Sequence, residues 1–473
     1  MKILFSLFCI VLLPLTATGI ELRSTLEDQQ QVAVTIYDSD LALVRDQRSV
    51  DLPKGQTELA FRDVSAQIKP ETVIFRNLTD PHGTIIREQN FDFDLLSPQK
   101  LLEKYVGKDV MVVRSHPQTG ADTSVSAKVL AANSGVVLQI GDKIETGVPG
   151  RIVYPDVPQN LRDRPTLLLD LENARSGQQD LELSYLTGGL SWKADYVALL
   201  ARDEKNIDLS GWVTLTNKAG TTFRQATLQL VAGDVNLVPT EQPRARDFMM
   251  KTAMAEAAPA MAEEGLFEYH LYTLQRPTTI KDNQTKQVAL LNAPQVQVKK
   301  DYLLKGTSYY YRGPYSDLGR KIKVATFLEF ANKKDDGLGM PLPKGVIRVY
   351  QQDSRGMTQF IGEDRIDHTP KNETVRLKLG EAFDLTADRT QTDFLKLSGK
   401  NEPLLAESAY QIVLKNAKET PVTIRVQEPI PGEWKILQEN HKHSRIDANT
   451  AEWNISVPAD SSATLTYRVR VKQ

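Results

Sequence analysis

Thr464-Leu465-Thr466-Tyr467-Arg468-Val469-Arg470-Val471 alternates polar and apolar side chains without interruption. In an extended chain, successive side chains point to opposite faces. Leu465, Tyr467, Val469 and Val471 therefore form one oily row, and Thr464, Thr466, Arg468 and Arg470 a polar one. Three further stretches repeat the pattern upstream: Tyr410-Gln411-Ile412-Val413-Leu414, Val422-Thr423-Ile424-Arg425-Val426 and Trp453-Asn454-Ile455-Ser456-Val457. Turn residues separate them, which is the signature of an immunoglobulin-like or fibronectin-like sandwich over residues 401–473. Trp434 and Trp453 read as packing residues of its core and rim.

Working outward, the same period of two governs most of the chain. Leu167, Leu169 and Leu171 alternate, as do Leu181, Leu183 and Tyr185, then Leu209, Gly211, Val213 and Leu215, then Leu228 and Leu230. Ile322, Val324, Thr326, Leu328 and Phe330 form a long alternating strand, with Ile347, Val349, Val375, Leu377 and Leu379 beyond it. Near the start, Val32, Val34 and Ile36 precede Leu41 and Leu43, followed by Leu59 and Phe61 and by Val73 and Phe75. The expected fold class is all-β: a multi-module β-sandwich protein with a small barrel-like insert and a C-terminal immunoglobulin-like sandwich.

Two segments break the rhythm. Ser97-Pro98 through Gly107 places a capping Ser, a Pro at the first helical position and a Gly after the last turn, predicting a two-turn helix that buries Leu101, Leu102 and Tyr105. Four short strands follow, around Val110–Val113, Ser124–Leu130, Gly135–Ile140 and Arg151–Tyr154, and read as the small barrel. It carries no Lys/Arg cluster and few aromatics, so scaffolding is its expected role. Residues 240–265 are rich in Ala, Met, Glu and Pro and read as a disordered or transiently helical loop; Pro259 interrupts the apolar face that its methionines would otherwise form. The expected organisation is then a signal peptide at 1–19, an N-terminal sandwich module at 20–95, the helix and barrel at 96–160, a central β domain at 161–239 and 266–400 split by the 240–265 loop, and the final sandwich.

The N-terminus gives an address. Met1-Lys2, the apolar run Ile3 to Leu15 and the small residues Ala17-Thr18-Gly19 form a secretory signal peptide, with cleavage after Gly19. Cys9, the single cysteine of the 473 residues, lies in that leader, so hydrophobic cores rather than disulfides must hold the exported chain together. No second apolar run approaches the ~18 residues of a membrane span. The expected location is the periplasm or the extracellular space. With 58 Lys+Arg against 60 Asp+Glu there is no basic field, which argues against nucleic acid as a partner.

The search for chemistry returns little. Among His82, His116, His270, His368, His441 and His443, only His441-Lys442-His443 with Glu439 has ligand-like spacing. A zinc site needs three or four ligands, and an exposed hairpin between Trp434 and Trp453 is the simpler account. No nucleophile elbow, zincin motif or phosphate loop is present, and Gly188-Gly189 reads as a tight turn. No catalytic residue, cofactor or metal is therefore expected. Asp195, beside Trp192 and Tyr196, and Glu329, in an otherwise apolar strand, are the two carboxylates a hydrolase reading would need. Thr307-Ser308-Tyr309-Tyr310-Tyr311-Arg312-Gly313-Pro314-Tyr315 gathers aromatic and guanidinium groups favoured at interfaces. Tyr309, Tyr310, Tyr311, Arg312 and Tyr315 are accordingly the candidate partner-binding residues, with alternate tyrosines in the core as the competing account.

Tyr185-Leu186-Thr187-Gly188-Gly189-Leu190-Ser191-Trp192-Lys193-Ala194-Asp195-Tyr196, with Gly211-Trp212-Val213-Thr214-Leu215-Thr216-Asn217 and Leu228 to Asn236, resembles the bacterial exported domain-of-unknown-function family that includes the mucoidy inhibitor A proteins. Tyr269 to Leu274, Lys281 to Lys286 and, at the N-terminus, Ala33 to Tyr37 and Val50 to Gly55 resemble it as well. The resemblance covers roughly residues 30–80 and 180–473 and departs where relatives place a long helical hairpin between modules. It implies β-sandwich modules and export, with no established activity, so no catalytic residues carry over. The leading expectation is an exported, non-enzymatic β-rich protein of envelope structure or partner binding, its partner a protein or envelope component. The alternatives are a secreted hydrolase of cell-wall glycan or peptide and a surface module binding through the Tyr-rich loop.

Overall fold

Alternating side chains leave a strand with one oily face, and sheets stacked on those faces are how this chain buries them. The computed structural model describes residues 21–472 apart from 38–39, 93, 134, 148–149, 159–160, 234, 237–260 and 400–402. Residues 1–19, expected as a signal peptide, and most of the 240–265 segment lie outside the described residues. Strands fill most of the rest, with one α-helix, Pro98–Lys104, among the described residues. No helix there is long and apolar enough to cross a membrane. The chain divides into two compact units, 1–191 with 216–230 and 276–285, and 192–215 with 231–275 and 286–473.

In the first unit, Gln29–Tyr37, Leu41–Leu52 and Gly177–Thr187 pair in antiparallel fashion and Ile74–Asn77 closes one edge. A second sheet joins Leu22–Ser24, Gly55–Arg62, Thr166–Asn173 and Thr84–Asp92. Between the strands, Arg48 is fully buried: its Nη2 lies 2.8 Å from Asp46 Oδ2 and donates to the Arg62 carbonyl, while its Nη1 donates to the Ser24 carbonyl. The guanidinium also sits 3.8 Å from the Phe61 ring centroid, so its charge is compensated on all sides.

The insert keeps its helix but not its barrel. Ser97 Oγ accepts the Lys100 amide at 3.1 Å, Pro98 opens the helix, and Leu102 and Tyr105 pack on Val110, Val112, Ala127, Val129 and Leu138. The five strands form an open sheet in which Lys143–Thr146 and Arg151–Val153 are opposite edges. These edge strands are three and four residues long, too short to meet and close the cylinder, and the helix covers the apolar face instead.

The second unit holds two sheets. One runs Gln284–Gln297, Asn206–Asn217, Leu190–Leu200, Gly345–Gln352 and Thr358–Ile366. The other has nine strands, in the order Glu433–Glu439, Ser461–Lys472, Leu405–Asn416, Thr374–Lys396, Asp317–Ala331, Lys299–Lys305, Val422–Pro429, Thr450–Val457 and Ser444–Asp447. The strands expected as a C-terminal sandwich thus share one hydrogen-bonded sheet with earlier segments. That sheet curls: Trp453 and Tyr467, from strands near its two ends, stack at 4.7 Å between centroids. Residues 261–265, read from composition as part of a loop, are ordered, with Met261 buried and Ala262–Leu266 paired to Tyr269–Thr273 as a hairpin. Pairing satisfies the backbone of a segment whose side chains carry no strand signal.

Five strand ends are fixed by buried asparagines: Asn77, Asn173, Asn217, Asn332 and Asn416, each no more than 4% exposed. Asn217 Nδ2 donates to the Thr221 and Ile280 carbonyls while its Oδ1 accepts the Ala219 amide. Asn416 repeats the device with the Thr420, Val457 and Pro458 carbonyls and the Lys418 amide. A carboxamide supplies both donors and an acceptor where the ladder stops and backbone groups would otherwise be orphaned. Asn416→Ala should destabilise the protein by about 2–3 kcal/mol in urea unfolding, because several buried groups lose partners, whereas Glu419→Ala on the adjacent exposed turn should change it by less than about 0.5 kcal/mol.

Candidate binding surface

The Tyr-rich segment is mostly core. Gly306 brings the chain against Glu428, whose Oε2 would lie 2.2 Å from a Cβ at that position, and a 3-10 turn over Ser308–Tyr311 then aims Tyr310 and Tyr311 inward. Tyr311 donates to Glu428 Oε2 at 3.0 Å and its hydroxyl lies 2.8 Å from that of Tyr467. Arg389 pairs with Glu428 and donates from Nη1 to Tyr310 Oη at 3.2 Å. Both charged side chains are at most 1% exposed. Burial pushes the Glu428 carboxyl up against the pull of Arg389, raises the Tyr311 and Tyr467 hydroxyls far above their ordinary value, and raises Tyr410 to about 12. The tyrosines therefore stay protonated and serve as donors. Of the candidate partner-binding residues, Tyr310 and Tyr311 leave the surface for the core; Tyr309, Arg312 and Tyr315 remain exposed. The tight turn sends two consecutive rings, Tyr310 and Tyr311, inward and leaves Tyr309 and Tyr315 outside, which strand alternation does not anticipate.

Both carboxylates of the hydrolase reading are engaged by arginines. Glu329 Oε1 lies 2.8 Å from Arg376 Nε, in a network where Arg376 and Arg425 share Asp301 and Arg425 also approaches Glu452. Asp195 Oδ1 lies 3.1 Å from Arg348 Nη1, and Asp195 Oδ2 accepts from Thr214 Oγ1 at 3.0 Å. The two carboxylates belong to different sheets, Glu329 to the nine-stranded one and Asp195 to the five-stranded one.

His443 and Glu439 do come together. The carboxylate meets His443 Nδ1 at 2.9 Å and accepts from Trp453 Nε1 at 2.9 Å, while the imidazole sits between Trp434 and Trp453 at 5.8 and 5.9 Å. Glu439 is thereby used to satisfy a buried indole. Among the described residues no group of three or more His, Cys, Asp or Glu could hold a metal. Gly188-Gly189 is a turn: Gly189 has φ +79°, its amide donates to Asp40 Oδ1, and a Cβ there would strike the Ala219 backbone at 2.8 Å. Trp453 is fully buried, and Trp434 is capped by Arg445, 3.9 Å from its ring.

What sequence reasoning missed is the outer face of the five-stranded sheet. Its inner face buries Trp192, Ala194, Tyr196, Val213, Leu215, Ile347 and Val349. The alternate positions, Asp195, Val197 and Leu199, Trp212 and Thr214, Arg348 and Tyr350, are only half-buried. Thr214 receives Gln287 Nε2 at 3.1 Å, and Glu363 on the neighbouring strand lies 3.1 Å from Arg348 Nε. Phe360, 55% exposed, packs edge-on against Tyr350 at 5.6 Å. At one end the face runs into a cavity of about 110 Å³ lined by Leu199, Arg202, Asn206, Asp208, Gln295 and Gln352. The signal was available in the alternation of the Leu190–Leu200 and Asn206–Asn217 strands, but pairing of distant strands was needed to assemble it. A larger polar groove of about 490 Å³ in the first unit, lined by Glu27, Asp28, Gln47, Arg48 and Asp180, has its one buried cation already locked by Asp46.

An all-β sandwich-like protein whose most developed surface is an open sheet face is the class this architecture defines. The chain belongs to the family of the domain of unknown function DUF4139, whose model matches residues 181–473 and so includes every residue of that face. No curated protein matches the chain.

Removing one member of the buried pair should expose its structural weight. Glu428→Gln should cost about 3–5 kcal/mol, because Arg389 stays buried without a counter-charge, while the double replacement Arg389→Met with Glu428→Leu should recover part of that loss in a denaturation cycle.

Proposed function

We propose that the protein is exported and acts in the cell envelope as a non-enzymatic binding and scaffolding protein, using the outer face of its five-stranded sheet to contact an envelope component. The observation that carries this reading is the composition of that face: aromatic rings and hydrogen-bonding groups displayed on a rigid sheet, with every central charge already paired to its neighbour. Asp195 and Glu329, the carboxylates a hydrolase reading would need, are each paired with an arginine and stand on different sheets. The leader-like Met1 to Gly19 segment and the resemblance to the mucoidy inhibitor A proteins support export to the envelope. The same balance of charges, and the absence of a basic stripe in the sequence, disfavour nucleic acid.

Fractionation of cells expressing the full chain tests both halves of the proposal. The mature protein should be recovered from the periplasm or medium with Ile20 at its N-terminus. It should co-sediment with envelope material, and Trp212→Ala or Phe360→Ala should reduce that association at least about threefold with little change in melting temperature. Recovery from the cytosol with Met1 to Gly19 retained, or a hydrolytic activity that Asp195→Asn abolishes, would overturn the reading.

A further inference from the structure

We propose that the outer face of the five-stranded sheet binds an uncharged glycan chain, an inference that rests on that face being the binding surface. The argument begins with charge. Lys193 Nζ lies 3.7 Å from Asp195 Oδ2, Asp195 Oδ1 lies 3.1 Å from Arg348 Nη1, and Arg348 Nε lies 3.1 Å from Glu363 Oε2. Two positive and two negative groups thus alternate in an unbroken series. The series carries no net charge, so it offers neither an anionic nor a cationic polymer a long-range attraction. The pairing holds the groups in place and leaves them able to form further hydrogen bonds, because a carboxylate has about four acceptor sites against the three partners of Asp195, and a guanidinium carries five N–H donors.

Around this neutral centre stand groups of two kinds. Thr214, Gln287, Ser210 and Asn292 add hydroxyls and carboxamides, the first pair and the second pair each linked across adjacent strands. Trp212 and Tyr350 are half-buried, which fixes their rings while leaving surface to cover, and Phe360 extends the aromatic edge. Trp212 and Tyr350 stand on strands two apart in the sheet, with Tyr350 opposite Leu199 on the strand between them. A sugar ring offers the matching chemistry: an apolar C–H face for an aromatic ring and a periphery of uncharged hydroxyls that both donate and accept.

Shape decides between a small sugar and a polymer. An open sheet face does not enclose a small molecule, so contacts must accumulate along an extended ligand. The cavity of about 110 Å³ at the end of the face, with Asn206, Asp208, Gln295 and Gln352 around it, is large enough for a ring substituent and too small for a whole chain. An extended peptide would instead gain most by adding to a sheet edge, where backbone partners are free.

The full mature chain is titrated calorimetrically with cellohexaose, maltohexaose, chitohexaose and a galacturonate hexamer. At least one neutral hexasaccharide should bind, the polyanionic hexamer should not, and binding should vary little with salt. Trp212→Ala should weaken the association at least about tenfold, and Phe360→Ala severalfold, with melting temperatures within about 3 °C of the parent. Failure of every neutral hexasaccharide at millimolar concentration, preference for the galacturonate hexamer, or binding indifferent to both variants would overturn the proposal. If envelope association depends on Trp212 yet survives complete enzymatic digestion of the glycan, the surface reading stands and the glycan assignment falls. Loss of association from both kinds of material removes both.

Discussion

A guanidinium and a carboxylate with almost no access to water, Arg389 and Glu428, hold the largest sheet of the molecule in its curl. The pair links the fourth and seventh strands in the order of that sheet, and its tyrosines fill the core between them. Trp453, Tyr467 and Tyr410 stack in series, and Tyr311 bridges from the stack to the carboxylate. Desolvating two charges is costly, and the cost is offset by their mutual attraction and by phenolic donors that burial keeps protonated. The pair is therefore better understood as fixing which curl is adopted than as adding net stability.

The first unit uses the same chemistry. Arg48 and Asp46 are buried between strands, and the arginine spends its remaining donors on two backbone carbonyls from other strands. A chain with a single cysteine, Cys9, has no intramolecular disulfide available to set the register of its sheets. Directional hydrogen bonds from buried arginines, together with carboxamides at strand ends, supply that specificity. Oily side chains provide most of the driving force and fix which face is buried, but being non-directional they discriminate less against a slip of two residues, which keeps the same face inward.

A rigid framework of this kind gives the outer face of the five-stranded sheet its character. Trp192, Tyr196 and Ile347 anchor the strands from beneath, and Tyr196 donates its hydroxyl to the Pro343 carbonyl, so each strand is fixed before anything touches the outer side. Gly211 leaves room for Leu291 and the Tyr196 ring, which a Cβ would meet at 2.9 and 3.2 Å. The polar and aromatic groups above are consequently held in place at low entropic cost, which favours recognition of extended ligands by many modest contacts.

The order of the side chains alone determined the strand-dominated architecture, the Ser97-capped helix, the Gly188-Gly189 turn and the family resemblance, because each rests on neighbours in sequence: a period of two, a cap, a glycine. Tertiary structure decided the rest. Sequence could not close or open the insert's barrel, since closure depends on whether two short edge strands meet. It could not show that Tyr310 and Tyr311 face inward while Tyr309 and Tyr315 face out, because a tight turn resets the alternation. Nor could it assemble the outer face, whose Asp195, Thr214, Gln287, Arg348 and Glu363 lie up to 168 positions apart and become neighbours only through strand pairing. Local propensity is written in adjacent residues; charge pairing across a sheet is a property of register, and register is settled only when the whole core packs.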